Sequence, residues 1–311
     1  MSGTRLTPRG AAHPAGNSAG SLVAAATERL RVARSPTPRL DAELLVGHAF
    51  GRDRAWILAH PEASLEAAEA ETLDNWLARR AAGEPIAYIR GFKEWFSLQI
   101  RTDTRALIPR PETELLAEAA IEEIADRLVR DDAPISAWEV ATGSGAVALA
   151  LALRFRSALA LGRVRLAASD LSAEALELAA ENLAANGVDG LVTLGCGDLL
   201  EPAVLPAPLL PDVVIANLPY LTSDEVAAGT GSLRFEPHSA LDGGPDGMDV
   251  IRHLLEQLPA RLAQGGVALL EVGAGQATTI RELLPELPMA AEMATLEDLA
   301  GTQRVVRIDR G

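Results

Sequence analysis

Beyond Pro134 the chain alternates short apolar, β-compatible runs with longer segments of helical period, and this alternation restricts the fold more than any other feature. The strand candidates are residues 135–140, 164–169, 192–196, 213–216 and 267–272, followed by 290–294 and 305–308. Helices are predicted between them, notably 146–153, 173–186 and 248–262. A run such as Val213-Val214-Ile215-Ala216 shows no polar alternation, which suits a strand covered on both faces. Strands separated by helices must cross over, so the predicted class is α/β: a doubly wound, mostly parallel, Rossmann-like sheet.

The N-terminal part differs. Residues 21–84 carry only helical signals, with stripes at Leu22, Val23, Ala26 and Leu30, at Leu44, Leu45 and Ala49, and at Leu73, Trp76 and Leu77. They predict a small helical bundle with a recognition or packing role. From 85 to 108 the period moves toward two, through Ile86-Ala87-Tyr88-Ile89 and Trp95-Phe96-Ser97-Leu98-Gln99-Ile100, and reads as a β-hairpin linking two domains. The second domain runs from 109 to 311, opening with a helix over 112–129. Two domains fit a length of 311 residues. Residues 1–20, rich in Gly, Ala, Pro and Ser, read as a flexible tail and not as a secretory signal.

Bulk properties narrow the classes of function. A net charge of -15 argues against broad nucleic-acid binding, which needs a basic surface, and favours a protein or small molecule as partner. No apolar stretch reaches membrane-spanning length. Cys196 is the single cysteine, so no intrachain disulfide is possible, in keeping with a cytoplasmic location. Lying in an apolar strand, its thiol is expected to be buried and inert. No metal site is assigned, and none of the five histidines, His238 and His253 among them, sits in a triad-like arrangement.

Chemistry gathers at the strand ends. Asn217-Leu218-Pro219-Tyr220 closes the apolar run, and Pro219 ends its ladder because it has no N–H. An amide oxygen, backbone carbonyls and a ring are left at the carboxyl end of a strand, where open α/β sheets bind ligands. The group suits a planar amide or amine. Glu139-Val140-Ala141-Thr142-Gly143-Ser144-Gly145 lies between the first strand of this domain and an apolar helix, where glycines allow close backbone approach. The next two strands end at Asp170, placed to accept from ribose hydroxyls, and Asp198, placed to accept from an adenine amino group or N–H. Together they describe a nucleoside pocket. A third glycine for dinucleotide binding is missing, since Ala146, Val147 and Ala148 come after Gly145, and no Gly-Lys-[Ser/Thr] is present. S-adenosylmethionine, which has no phosphate, meets these conditions and implies a methyltransferase.

These segments together resemble the PrmC/HemK family of protein-glutamine N5-methyltransferases, over most of the chain. The resemblance is carried by Glu84-Pro85-Ile86-Ala87-Tyr88-Ile89 with Gly91, by Ile108-Pro109-Arg110-Pro111-Glu112-Thr113-Glu114, and by the loop from Glu139 to Gly145. Asn217 to Tyr220 is similar to the family's Asn-Pro-Pro-Tyr. Arg234-Phe235-Glu236-Pro237, Ala240-Leu241 and the segment from Gly247 to Ile251 resemble the family's loop and helix after that motif. Family membership implies the Gly-Gly-Gln loop of peptide-chain release factors as protein substrate and S-adenosyl-L-methionine as cofactor, with S-adenosyl-L-homocysteine as product. It also implies cofactor contacts at Glu139, Ala141, Thr142, Gly143, Gly145, Asp170, Leu171, Asp198, Leu199 and Asn217. Substrate contacts fall on Asn217, Leu218, Pro219 and Tyr220, with Asn217, Pro219 and Tyr220 as the catalytic set. Asn217 and the Leu218 carbonyl would each accept one amide N–H while Tyr220 packs on the amide plane. Arg110 and Glu112 either shape the site mouth or cap the following helix. Two departures stand out: Ala141 where the family carries glycine, and Leu218 where it carries the first proline. Asn-Leu-Pro-Tyr is also what rRNA adenine dimethyltransferases look like at this position. The acceptor is therefore a release-factor glutamine, another nitrogen in a metabolite or protein, or an adenine amine; a cofactor-binding protein without turnover is the reading from another class.

Overall fold

The structure, a computed structural model, describes residues 16–130, 132–201, 210–229 and 231–311. The chain divides into two units, Met1–Arg90 and Gly91–Gly311. The first is helical, with α1 (Ala19–Val32), α2 (Pro38–Ala49), α3 (Arg54–Ala59), α4 (Ala67–Ala81) and α5 (Ile86–Arg90). Its core takes Val23, Ala26 and Leu30 from α1, Leu45 and Val46 from α2, and Leu73 and Leu77 from α4, following the apolar stripes. Ser18 caps α1 by accepting from the Ser21 amide, so the helix starts at Ala19, inside the segment expected to be a tail. The remainder of that tail, residues 1–15, lies outside the described residues.

Ile86-Ala87-Tyr88-Ile89 is a correction. These residues form helix α5 and not the first strand of a hairpin. Ala87, Tyr88 and Ile89 are buried in succession, a pattern that a period of two cannot produce. So short an apolar run does not distinguish helix from strand by periodicity. The hairpin lies further on, as β1 (Phe92–Trp95) and β2 (Leu98–Arg101). Its two loop residues, Phe96 and Ser97, both have positive φ, +50° and +58°, the backbone of a type I′ turn built without glycine.

The second unit continues with α6 (Thr113–Arg130), β3 (Ile135–Val140), α7 (Ala146–Arg154), α8 (Arg156–Ala160), β4 (Val164–Asp170), α9 (Ala173–Ala185) and β5 (Val192–Cys196). After these come β6 (Val213–Asn217), α10 (Ser223–Ala228), α11 (Asp249–Arg261), β7 (Val267–Glu271), α12 (Gln276–Leu283), β8 (Ala291–Glu297) and β9 (Gln303–Arg310). Seven strands make one sheet in the order β5-β4-β3-β6-β7-β9-β8. Strands β3 to β7 run parallel, while β9 pairs antiparallel with both β7 and β8. Alternate residues feed two cores. Ala137, Val213, Ile215, Val267 and Leu269 face one with α6 and α7. Trp138, Val214, Ala216, Ala268 and Leu270 face the other with Ile251, Leu254 and Leu258 of α11 and Ile280 of α12. Each fully buried Val or Ile contributes on the order of 1.5–3 kcal/mol, which is why the uninterrupted apolar runs sit at the sheet centre.

Cys196 is a second correction: it is exposed. It ends β5, the edge strand, whose last residues leave the layered core, and apolar neighbours in sequence do not bury an edge. Among the described residues no helix is long and apolar enough to cross a membrane.

Candidate active site

Sheet register brings the chemistry-bearing residues to one level. Val140 of β3 pairs with Ser169 of β4 on one side and with Ala216 of β6 on the other. The next residues along, Ala141, Asp170 and Asn217, therefore emerge side by side at the carboxyl ends. Asp170 is in turn level with Cys196, and Asn217 with Glu271. From β3 the strand order grows in opposite directions, so the crevice there is the topological switch point of the sheet. A cavity of about 600 Å³ occupies it, lined by Glu139, Ala141, Thr142, Gly143, Asp170, Leu171, Asp198, Leu199, Asn217 and Pro219 among others.

The loop after β3 is held by its own acidic neighbours. Ala141, Gly143 and Gly145 all have positive φ, at +53°, +56° and +74°. The Gly143 amide donates to Asp170 Oδ2 at 2.8 Å, and the Thr142 amide to the Ser169 carbonyl at 2.9 Å. Glu139 is buried, and its Oε2 accepts from Thr142 Oγ1 at 2.7 Å and from the Ala148 amide at 2.9 Å. Burial pushes its carboxyl up to about 8, against those two hydrogen bonds. Burial also raises the Asp170 carboxyl, opposed by the amides of Ser172, Gly143 and Leu171. Glu139 thus spends one oxygen on the loop as well as facing the cavity.

Gly145 does not line the cavity. A Cβ there would stand 2.9 Å from the Ala179 Cβ on α9, so this glycine admits close helix packing. That is the role a third glycine takes in dinucleotide-binding folds. Asn182 of α9 completes the junction: its Nδ2 donates to the Ser144 carbonyl at 2.9 Å and its Oδ1 accepts from the Arg101 amide at 2.8 Å. His253 of α11, given a surface or core role from sequence, lines the cavity with Nδ1 3.7 Å from Asp198 Oδ2. Arg105, also on the wall, is engaged by Asp103 at 2.8 Å and Glu181 at 2.9 Å.

Leu218 and Tyr220 lie elsewhere. They line a neighbouring cavity of about 170 Å³, whose walls are mostly leucine: Leu107, Leu221, Leu233 and Leu241, with Arg110. Asn217, Leu107 and Ala240 line both cavities. Leu218 is 2% exposed and its side chain belongs to the sheet core, so its backbone is the part that could meet a ligand. Burial, reinforced by nearby Glu271, pushes the Tyr220 phenol up to about 12. Gln276 fixes the local backbone, its Nε2 donating to the carbonyls of Tyr220 and Gly247, each at 3.0 Å. Arg110 pairs with the fully buried Glu236 at 2.6 Å, and Glu236 Oε2 accepts from the Ile108 amide at 3.1 Å. This clasp joins the 105–110 segment to the 235–240 segment on the cavity walls.

Two residues beside Asn217 escape a reading based on motifs. The Asn217 Nδ2 donates to Thr113 Oγ1 at 3.1 Å. The Thr113 side chain lies next to the carboxyl of Glu271, which burial raises to about 7. Glu271 could have been found by the argument that singles out Asp170, being an acidic residue at a strand end. Thr113 carries no such signal beyond its place in Ile108 to Glu114.

A mostly parallel sheet with an acidic, glycine-turned crevice at its switch point and Asn217 and Pro219 of Asn-Leu-Pro-Tyr on its wall defines a Rossmann-like methyltransferase. The chain is 36% identical over 303 residues to the release factor glutamine methyltransferase of Bradyrhizobium diazoefficiens (97% of this chain, 98% of that one). It is 38% identical to those of Xylella fastidiosa and Deinococcus radiodurans, over 92% and 93% of this chain and 95% and 97% of theirs. Residues 21–91 match the PrmC N-terminal domain. The chain belongs to the release factor glutamine methyltransferase family. A solved ribosomal protein L11 methylase from Lactobacillus delbrueckii subsp. bulgaricus covers 69% of this chain and 88% of its own, at 23% identity and a TM-score of 0.44.

Proposed function

We propose that this protein transfers a methyl group from S-adenosylmethionine to the side-chain amide nitrogen of a glutamine in the Gly-Gly-Gln motif of a peptide-chain release factor. The observation that carries this reading is the position of Asn217 in the walls of both cavities, where methyl donor and acceptor have to meet. The larger cavity fits the donor. Its volume is nucleoside-sized, and Gly143 has no neighbour within 4 Å of where a side chain would stand. Its facing side chains Asp170 and Asp198 are acceptors suited to hydroxyls, an N–H or a cation, and Glu139, which keeps its proton near neutrality, can donate as well as accept, while the Arg105 guanidinium is spent on other carboxylates. Among the described residues of this wall, no free guanidinium or ammonium is left for a pyrophosphate.

Glu139, Asp170, Asp198 and the loop from Ala141 to Gly143, with Leu171 and Leu199, would hold the donor. When bound, S-adenosylmethionine supplies a methyl group already activated on a sulfonium. The work left to the chain is placement and electrostatics. Asn217 Oδ1 and the Leu218 carbonyl accept the two N–H groups of the acceptor amide. They aim its nitrogen and stabilise the positive charge that develops there. Tyr220, a neutral phenol that burial holds still further from ionisation, covers the amide plane. Leu218 keeps this arrangement although it replaces a proline, because its side chain is in the core and its carbonyl is the group in use. The leucine-rich smaller cavity suits the methylene stem of a glutamine better than a charged ribonucleotide.

The test is labelled S-adenosylmethionine with purified release factor, followed by peptide mapping. The expected result is label on the glutamine of the Gly-Gly-Gln motif. Label confined to ribosomal RNA or to a small metabolite would overturn the assignment.

A further inference from the structure

We propose that Thr113 and Glu271 form a positioning pair that fixes which end of the Asn217 amide faces the acceptor. The proposal rests on the methyltransferase reading and concerns the same site.

An asparagine amide has a donor end and an acceptor end of nearly equal shape. Only one orientation accepts an N–H; the reverse sets NH₂ against NH₂. Some group must choose, and Thr113, on the wall of the larger cavity, is the one bonded to the amide. Asn217 Nδ2 donates to Thr113 Oγ1 at 3.1 Å, so Oδ1 is the end left for a ligand. A threonine hydroxyl has a single hydrogen, and the Glu271 carboxyl next to it is the group placed to take it. An ionised carboxylate only accepts, so the hydroxyl hydrogen points to Glu271 and its lone pair to Asn217. The polarity of the chain is thereby dictated by the buried carboxylate, three hydrogen bonds from the reacting nitrogen.

The placement of Glu271 supports this role. It is 2% exposed, in register with Asn217 on the adjacent strand, and lines neither cavity. Its Oε2 has no hydrogen-bond partner among the described residues. A buried carboxyl with an unpartnered oxygen is a poor structural choice, since it bears desolvation without compensation. The charged and titratable groups facing it are Glu112 and Arg110 ahead of α6, and Arg304 on β9. Tyr220 after β6 faces it too. Arg110 is committed to Glu236 and Arg304 to Asp298, at 2.6 Å and 3.0 Å.

A pH dependence results. Burial, assisted by Glu112, brings Glu271 to about 7, so it changes form across neutral pH. Once protonated it can donate to Thr113, whose hydroxyl is then free to donate to Asn217 Oδ1 and turn the amide round. Turnover should rise with pH through this range, because the ionised form sets the working orientation.

The experiment uses the full chain, with release factor as substrate. It measures single-turnover rates across neutral pH and cofactor affinity by calorimetry. Thr113→Val is expected to slow transfer by about 10–100-fold while cofactor Kd stays within about twofold, as a mis-aimed but intact site requires. Thr113→Ser keeps the hydroxyl and should restore most of the rate. Glu271→Gln, isosteric and able to donate, should slow transfer and flatten the rise through neutral pH. Wild-type rates in Thr113→Val, or an unchanged pH profile in Glu271→Gln, would overturn the pair while leaving the methyltransferase reading intact. A wild-type protein that transfers nothing to release factor would overturn that reading instead.

Discussion

Ala141 holds a left-handed backbone, φ +53°, at the first bend of the loop after β3. A side chain in that region costs about 1–2 kcal/mol, and glycine avoids it. The turn has kept its shape and absorbed the strain. Ala141→Gly should therefore raise stability by about 1 kcal/mol in urea unfolding; no change, or a loss, would mean that the strain is relieved locally. Glu139 gives a second prediction at this scale. Its carboxyl moves from an ordinary value of 4.5 to about 8 on folding. Between those values the unfolded chain has lost the proton that the folded chain keeps, so stability is lost as pH rises through the window. Urea unfolding at several pH values should show Glu139→Gln gaining on the wild type by roughly 1 kcal/mol per pH unit there. Parallel curves would contradict the assignment. The residues at strand ends were legible in the sequence because Asp170, Asp198 and Asn217 each close an apolar run. Their supports were not. Thr113 and Gln276 act through contacts across more than fifty residues of sequence, which no local pattern encodes.

Among the elements, the clasp between the 105–110 segment and the 235–240 segment has the most direct consequence. Glu236 is fully buried and satisfies both Arg110 and the Ile108 amide. Glu236→Ala leaves both donors without their partner and should cost about 3 kcal/mol, with weaker cofactor binding because both segments wall the cavity. Denaturant unfolding followed by tryptophan emission, together with calorimetry, would show it. Gly145→Val is the matching test on the other wall: a Cβ 2.9 Å from Ala179 at φ +74° should lower both stability and cofactor affinity. Strands buried on both faces were readable as elements because apolar runs of that length need a covered sheet. Helix α5 was not, since Ile86 to Ile89 is too short for periodicity to separate helix from strand. Cys196 fails for a related reason, because edge position is a property of strand order and not of the strand's own sequence.

At the level of the whole molecule, alternation after Pro134 was enough to give a parallel doubly wound sheet, and the switch-point rule then placed the crevice. What alternation could not give was the register that sets Asn217 level with Glu271, or the antiparallel β9 between β7 and β8. The central claim is that Asn217, where the two cavities join, aims the acceptor nitrogen and does not merely hold the donor. It is tested most directly by the single-turnover rate of methyl transfer to release factor by Asn217→Ala at saturating S-adenosylmethionine. A loss of at least about 100-fold with cofactor Kd little changed is expected, the signature of an interaction made in the transition state. A rate near that of the wild type would contradict it.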